Sequence, residues 1–131
     1  MPIFKFNKLV RDKLRDEYAR TNQKATYREL TLNDHKLELK NKIIEETKEI
    51  QIDKPVAEIA DEIADIKQAL DDFQNLCGIT EEQVSIIKQK KYVKKGGFTS
   101  GNFVETLELD DDDKWVDYYR QSPDIFPEIK K

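Results

Sequence analysis

Apolar residues recur at helical spacing in three long stretches of the chain. In the first stretch, Leu39, Ile43 and Ile50 fall on one side of a helix that advances by about 100° per residue. The second stretch shows the same spacing at Val56, Ile59, Ile63, Ile66, Leu70 and Phe73. A third, shorter stretch has apolar positions at Val84, Ile86 and Ile87. The pattern therefore predicts three amphipathic helices, over about residues 33–51, 55–77 and 80–94.

Residues that favour helix ends stand at the borders of these stretches. Thr31 or Asn33 is placed to cap the first long helix, and Pro55 is acceptable at the first position of the second. Gly78 follows the second helix, where glycine allows the left-handed turn that ends many helices. Residues 80–83 read TEEQ, which is a capping-box pattern for the third helix.

The two ends of the chain carry weaker signals. A short helix is predicted over about residues 11–20, after an N-terminal segment in which apolar and polar residues alternate. Alternation returns over residues 103–109 and predicts a short extended segment or strand after the glycines at 96–97. Because helical signals dominate, we predict an all-α fold.

The composition argues for some classes of protein and against others. Charged residues make up 38% of the 131 positions, a share typical of helices with hydrated outer faces. The net charge of −4 argues against a partner that is duplex nucleic acid. The one cysteine, Cys77, cannot form an internal disulfide, and no apolar run is long enough to span a membrane. We therefore expect a cytoplasmic protein, and a homodimer or homotetramer because so short a chain leaves apolar helix surface uncovered.

Four carboxylates on the first two long helices are the candidate chemistry. Glu46 and Glu49 project from adjacent turns of the first helix, at the edge of its apolar stripe. Glu62 falls inside the apolar sector of the second helix, and Asp65 follows three residues later. A buried carboxylate is destabilising unless something compensates its charge. A divalent cation would compensate all four, and oxygen ligands favour Mg²⁺ or Mn²⁺.

A solvated acidic face is the alternative interpretation. Acids are so common in this chain that E-x-x-E and E-x-x-D patterns arise by chance, and E-x-x-D occurs twice in succession, at 58–61 and 62–65. Zinc is disfavoured, because His35 and Cys77 form no ligand pattern. The position of Glu62 among apolar residues is what favours a metal site over a hydrated surface.

Three separately placed motifs resemble a known superfamily. EETKE at 45–49 and EIAD at 62–65 resemble the E-x-x-E and E-x-x-D signature of the all-α nucleoside triphosphate pyrophosphatases, which include MazG-type enzymes, dimeric dUTPases and phosphoribosyl-ATP pyrophosphohydrolase. NKLVRDK at 7–13 and KKGGF at 94–98 resemble a small branch of that superfamily. The resemblance covers about residues 6–109. It implies an antiparallel helical bundle, which we predict over 1–109. Residues 110–131 lie outside the resemblance, and their composition predicts an acidic, aromatic extension.

The resemblance also implies an activity. The family hydrolyses the bond between the α and β phosphates of a nucleoside triphosphate, giving a nucleoside monophosphate and pyrophosphate, in some members to remove non-standard nucleotides. By analogy, Glu46, Glu49, Glu62 and Asp65 would be the catalytic residues and the ligands of Mg²⁺ or Mn²⁺.

Cations are needed beside such a site to hold the phosphates. The candidates are Lys8, Arg11 and Lys13 in the N-terminal motif, and Lys95 before the paired glycines. Asp12 is placed to orient Arg11 through an ion pair. Alternatively, Arg11 and Lys13 only decorate a helix start, and Lys95 only favours a helix end. Two other functions stay open, a non-catalytic helical oligomerisation module and a regulatory protein that binds nucleotide without turnover.

Overall fold

The computed structural model describes residues 1–130, and within them the regular structure is entirely helical. The helices are α1 (Leu14–Arg20), α2 (Leu32–Glu49), α3 (Val56–Leu76), α4 (Glu81–Lys95) and α5 (Trp115–Arg120). The prediction of an all-α fold is confirmed. None of the helices described has the length and apolar character needed to cross a membrane.

The side chain of Thr31 caps the N-terminus of helix α2. The hydroxyl oxygen of Thr31 accepts a hydrogen bond from the Asp34 backbone N–H at 3.2 Å, which satisfies one of the free amides of the first turn. Thr31 is therefore the N-cap, and Asn33 lies inside the helix. At the other end, Ile50 adopts an extended conformation and stops the helix.

Helix α3 ends in a turn that glycine makes possible. Gly78 has a φ of +70°, in the left-handed region that other residues seldom adopt. Its N–H donates to the carbonyl of Asn75, and the N–H of Ile79 donates to that of Gln74, both at 3.1 Å. These two bonds form a Schellman motif, as the sequence predicts. Pro55 is the N-cap of α3 rather than its first helical residue.

Helix α4 starts with the predicted capping box. The backbone N–H of Thr80 donates to Gln83 Oε1 at 2.8 Å, and the backbone N–H of Gln83 donates to Thr80 Oγ1 at 3.2 Å. No residue of α4 is buried. The capping box stabilises the first turn of the helix.

Packing between α2 and α3 forms the core. Leu39 of α2 and Ala69 of α3 are the buried apolar residues, each only 6% exposed. The apolar stripes are wider than the faces that meet, and they leave Ile44, Ile63 and Leu70 between 43% and 47% exposed. The two helices hold the site described below, because the acidic residues lie on the faces that pack together.

The strand predicted over 103–109 is wrong. Residues 103–109 form no regular element, and most of them are exposed. Alternating sequence becomes a strand only where a neighbouring strand pairs with it, and the residues that the structure describes offer none.

The chain divides into two compact units, Met1–Lys94 and the segment from Lys95 onward. Aromatic rings pack together within the second unit. The ring centroids of Trp115 and Tyr118 are 5.3 Å apart, and those of Tyr119 and Phe126 are 4.8 Å apart. The predicted boundary after residue 109 stays a prediction.

Candidate metal centre and adjoining cleft

Two overlapping groups of carboxylates lie at the contact between α2 and α3. In one group, oxygens of Glu45, Glu46 and Glu49 lie within 4.8 Å of one another. In the other, oxygens of Glu46, Glu62 and Asp65 do so. Glu46 belongs to both, so the structure brings together the four acids that the sequence singles out and adds Glu45.

Glu46 is the acid most deeply buried. The residue is only 8% exposed, because α3 covers the turn of α2 on which it lies. Its Oε2 atom, like Oε2 of Glu62, is buried and accepts no hydrogen bond from any part of the chain that the structure describes. An unpartnered buried carboxylate oxygen is strongly unfavourable. These two atoms therefore point to a ligand that would satisfy both.

The pKa values of Glu46 and Glu62 also reflect burial and the repulsion between neighbouring carboxylates. Burial, followed by the charge of Glu49, raises the pKa of Glu46 above its ordinary value. The same two causes raise the pKa of Glu62 from 4.5 to about 7, and a proton there lets Glu62 donate a hydrogen bond to Glu49 or Glu46. Without a cation, the cluster thus holds a proton on Glu62 near neutral pH.

Three basic side chains contact one side of the cluster. Arg11 Nη2 donates to Asp65 Oδ1 at 2.6 Å, and Lys8 Nζ donates to Glu45 Oε1 at 3.2 Å. Lys42 Nζ lies 3.4 Å from Glu45 Oε1 and 3.5 Å from Glu46 Oε1. Asp12 does not provide the partner of Arg11, because that guanidinium reaches across to α3 instead.

The charges of the cluster are therefore compensated unevenly. Burial favours a higher pKa for Glu45, but Lys8 and Lys42 outweigh it and lower the pKa of that carboxyl. For Glu62, by contrast, the groups that set its pKa are all acidic. On one side of the cluster, lysine and arginine neutralise the carboxylates. On the other side, the carboxylates of Glu49 and Glu62 repel each other.

A cleft opens beside each side of the cluster. The larger one has a volume of about 440 Å³ and contains Arg11, Lys42, Glu46 and Asp65 in its wall, with Leu39 among its apolar contacts. The smaller one has a volume of about 190 Å³ and is lined by Glu49, Gln51, Lys54, Glu58, Ile59 and Glu62. Small-molecule sites usually measure about 300–1,000 Å³, so the larger cleft has a suitable size for a substrate.

The predicted phosphate-binding cations fall into two groups. Lys8 and Arg11 contact the acidic cluster. Lys13 is the exposed N-cap residue of α1 and is not part of the larger cleft as the structure describes it. Lys95 is the exposed last residue of α4. A role for Lys13 or Lys95 in phosphate binding stays a prediction from the sequence.

Sequence reasoning missed Lys42. The signal was available, because Lys42 precedes Glu46 by four residues, the spacing at which side chains on one helix face meet. Lys42 lies outside the two basic motifs that supply the other candidate cations, and only the packing of α3 shows that this lysine lines a cleft.

The donor set fits a hard divalent cation. Every candidate ligand is a carboxylate, two of these carboxylates have a buried oxygen without a partner, and no histidine or cysteine belongs to either group. Mg²⁺ or Mn²⁺ suits such ligands.

Comparison of the chain with protein-family models, with characterised proteins and with solved structures gives no significant match.

Proposed function

We propose that this protein is a metal-dependent nucleoside triphosphate pyrophosphohydrolase that uses Mg²⁺ or Mn²⁺. The observation that carries the proposal is the buried Glu46, which has an unpartnered Oε2 and belongs to a carboxylate group with Glu62 and Asp65. The resemblance of the EETKE, EIAD, NKLVRDK and KKGGF segments to the all-α pyrophosphatases supports the same reaction. Removal of non-standard nucleotides is the role that this resemblance favours.

The residues of the cluster would share the chemistry. Glu46, Glu49, Glu62 and Asp65 would hold the cation, which when bound neutralises charge on the phosphates and favours ionisation of the attacking water. One of these carboxylates, or Glu45 or Glu58 beside them, would accept the proton of that water. Lys8 and Arg11 would supply positive charge to phosphate oxygens at the edge of the cluster.

The direct test is an assay for pyrophosphate release. Standard, deoxy and modified nucleoside triphosphates are incubated with the full chain and Mg²⁺ or Mn²⁺, and Glu62→Gln is compared with Asp61→Asn. We expect turnover of at least one triphosphate, a loss of about 100-fold in Glu62→Gln, and little change in Asp61→Asn. Asp61 is a matched control because it is an exposed acid on the same helix. Absence of turnover with every triphosphate, or equal rates in the two variants, contradicts the proposal.

Metal binding can be tested without a substrate. A cation that binds only the folded state must raise its stability, by about 2.7 kcal/mol at a concentration 100 times the dissociation constant. We expect Mg²⁺ to raise the melting temperature of the parent and of Asp61→Asn, but not that of Glu46→Gln. An equal shift in all three proteins would place the cation elsewhere.

The exposed apolar residues favour a second candidate, a non-catalytic oligomerisation or regulatory module. Ile44, Ile63 and Leu70 provide apolar surface on α2 and α3 that a partner helix would cover. Such a module would associate normally and, in its regulatory form, bind nucleotide, but it would release no pyrophosphate. The assay above therefore separates it from the enzyme.

A further inference from the structure

Lys42 lies where the acidic cluster meets the 440 Å³ cleft, and the proposed function gives this cation no role. Its side chain is only 24% exposed, which is low for a lysine, because its ammonium is drawn in against Glu45 and Glu46. The same side chain lines the 440 Å³ cleft together with Arg11 and Asp65. Lys42 therefore stands between the acidic cluster and the space that is large enough for an organic molecule.

The partners of Lys42 are shared with other cations. Glu45 Oε1 accepts a hydrogen bond from Lys8 Nζ at 3.2 Å, which is shorter than its 3.4 Å contact with Lys42 Nζ. Glu46 is the buried acid that the proposed metal would bind. A divalent cation held by Glu46 would compete with the Lys42 ammonium for that carboxylate. The flexible stem of Lys42 would then let its ammonium contact an anion in the cleft instead.

The two clefts differ in volume and in the cations that they offer. The smaller cleft, at about 190 Å³, lies below the usual size of a small-molecule site, and Lys54 is the one cation among its described lining residues. Carboxylates line the larger cleft too, but it offers two cations, Lys42 and Arg11, and its wall contains apolar side chains and amides of the kind that contact a nucleoside. Those residues are Leu9, Leu39, Leu76, Gln68 and Asn75.

We propose that Lys42 is a substrate-binding residue, whose ammonium contacts a phosphate of a nucleotide lying in the 440 Å³ cleft when the cation occupies Glu46. This inference rests on the proposed function, because it needs a phosphorylated substrate beside a metal. It adds a residue on α2 itself to the positive charge contributed by the N-terminal segment. It also assigns the substrate to the larger cleft rather than to the smaller one.

Inorganic pyrophosphate with Mg²⁺ is the probe that tests this role. Calorimetric titrations of the full chain compare the parent with Lys42→Met, Lys42→Arg and Lys40→Met. Lys40 is an exposed lysine two positions away on the same helix and serves as the matched control. Titration of Mg²⁺ alone is carried out on all four proteins, and melting curves show that each is folded.

We expect Lys42→Met to bind Mg²⁺ at least as tightly as the parent, because a competing cation has been removed from Glu46. Its affinity for pyrophosphate should fall by about 10- to 100-fold, as expected for the loss of one charged hydrogen bond. Lys42→Arg should recover part of that affinity, and Lys40→Met should match the parent. A purely structural lysine would change melting without this selective loss.

The outcomes separate the two proposals. Equal pyrophosphate affinity in Lys42→Met and Lys40→Met, with Mg²⁺ binding intact, overturns the role of Lys42 and leaves the metal centre standing. Failure of the parent itself to bind Mg²⁺ overturns the proposed function and the role of Lys42 with it.

Discussion

At the scale of single residues, the carboxylates of the cluster differ by what surrounds them. Asp65 and Glu45 are met by arginine and lysine, whereas Glu62 is met by Glu46 and Glu49. Burial and like charge act in the same direction on Glu62. A residue that is one of 27 acids in the sequence thus becomes the one whose pKa is raised to about 7.

The raised pKa of Glu62 has a defined effect on stability. In the absence of metal, the Glu62 carboxyl retains more of its proton in the folded state than in the unfolded state between the ordinary pKa of 4.5 and the folded pKa of about 7. Stability therefore falls as pH rises through that interval. We expect urea unfolding in EDTA to show a lower free energy of unfolding at about pH 7.5 than at about pH 5.

Replacement of Glu62 by glutamine should reduce this fall, because the amide has no charge to develop. The pKa of Glu46 is raised in the same direction, so part of the fall should remain. Asp61→Asn should keep the full pH dependence of the parent. If parent stability is constant or rises over this interval, the uncompensated charge assigned to Glu62 is wrong.

At the scale of helices, α2 and α3 depend on a small buried contact. Leu39 and Ala69 are the apolar residues buried there, and the carboxyl of Glu46 is buried beside them. Local bonds at the helix ends add to this contact, through Thr31 in α2 and the glycine turn after α3.

Leu39→Ala tests the importance of that contact. Removal of a buried leucine side chain should lower the free energy of unfolding by about 2–5 kcal/mol, through lost burial and the cavity left behind. Leu37→Ala is the matched control, since Leu37 is 52% exposed on the same helix, and it should change stability by about 0.5 kcal/mol or less. Chemical denaturation measures both, and equal losses would contradict the assigned core.

At the scale of the whole molecule, much apolar surface remains outside the core. The wide stripes of α2 and α3 leave Ile44, Ile63 and Leu70 partly exposed, and α4 buries no residue. Apolar patches on short helical proteins commonly mark association surfaces. This is the physical ground for our expectation of a homodimer or homotetramer.

Light scattering on the full chain tests that expectation. We expect a mass of two or four protomers, and a lower mass for the double variant Ile63→Glu with Leu70→Glu, because charges on that face would be buried by association. Ile52→Glu is the control, since Ile52 is 92% exposed in the connection between α2 and α3. A monomeric parent, or an equal effect of both changes, would rule out this face as the interface.

Several features could be predicted from the sequence because their causes are local. Helical periodicity placed α2, α3 and α4 to within a few residues, and the Thr80–Gln83 capping box and the Gly78 turn follow from residues close together in the chain. The apolar sector around Glu62 is also a local property. The strand predicted over 103–109 failed because a strand needs a partner that its own sequence does not specify.

Other features were decided only by the tertiary structure, because they join residues that are distant in sequence. Which acids lose water depends on how α3 covers α2, and this buries Glu46 while leaving Glu49 exposed. Arg11 reaches Asp65 across 54 positions, a contact that no helical spacing encodes. The sequence by itself determined the helices and the acids that they carry. Packing decided which of those charges are compensated, because desolvation and ion pairing depend on neighbours in space.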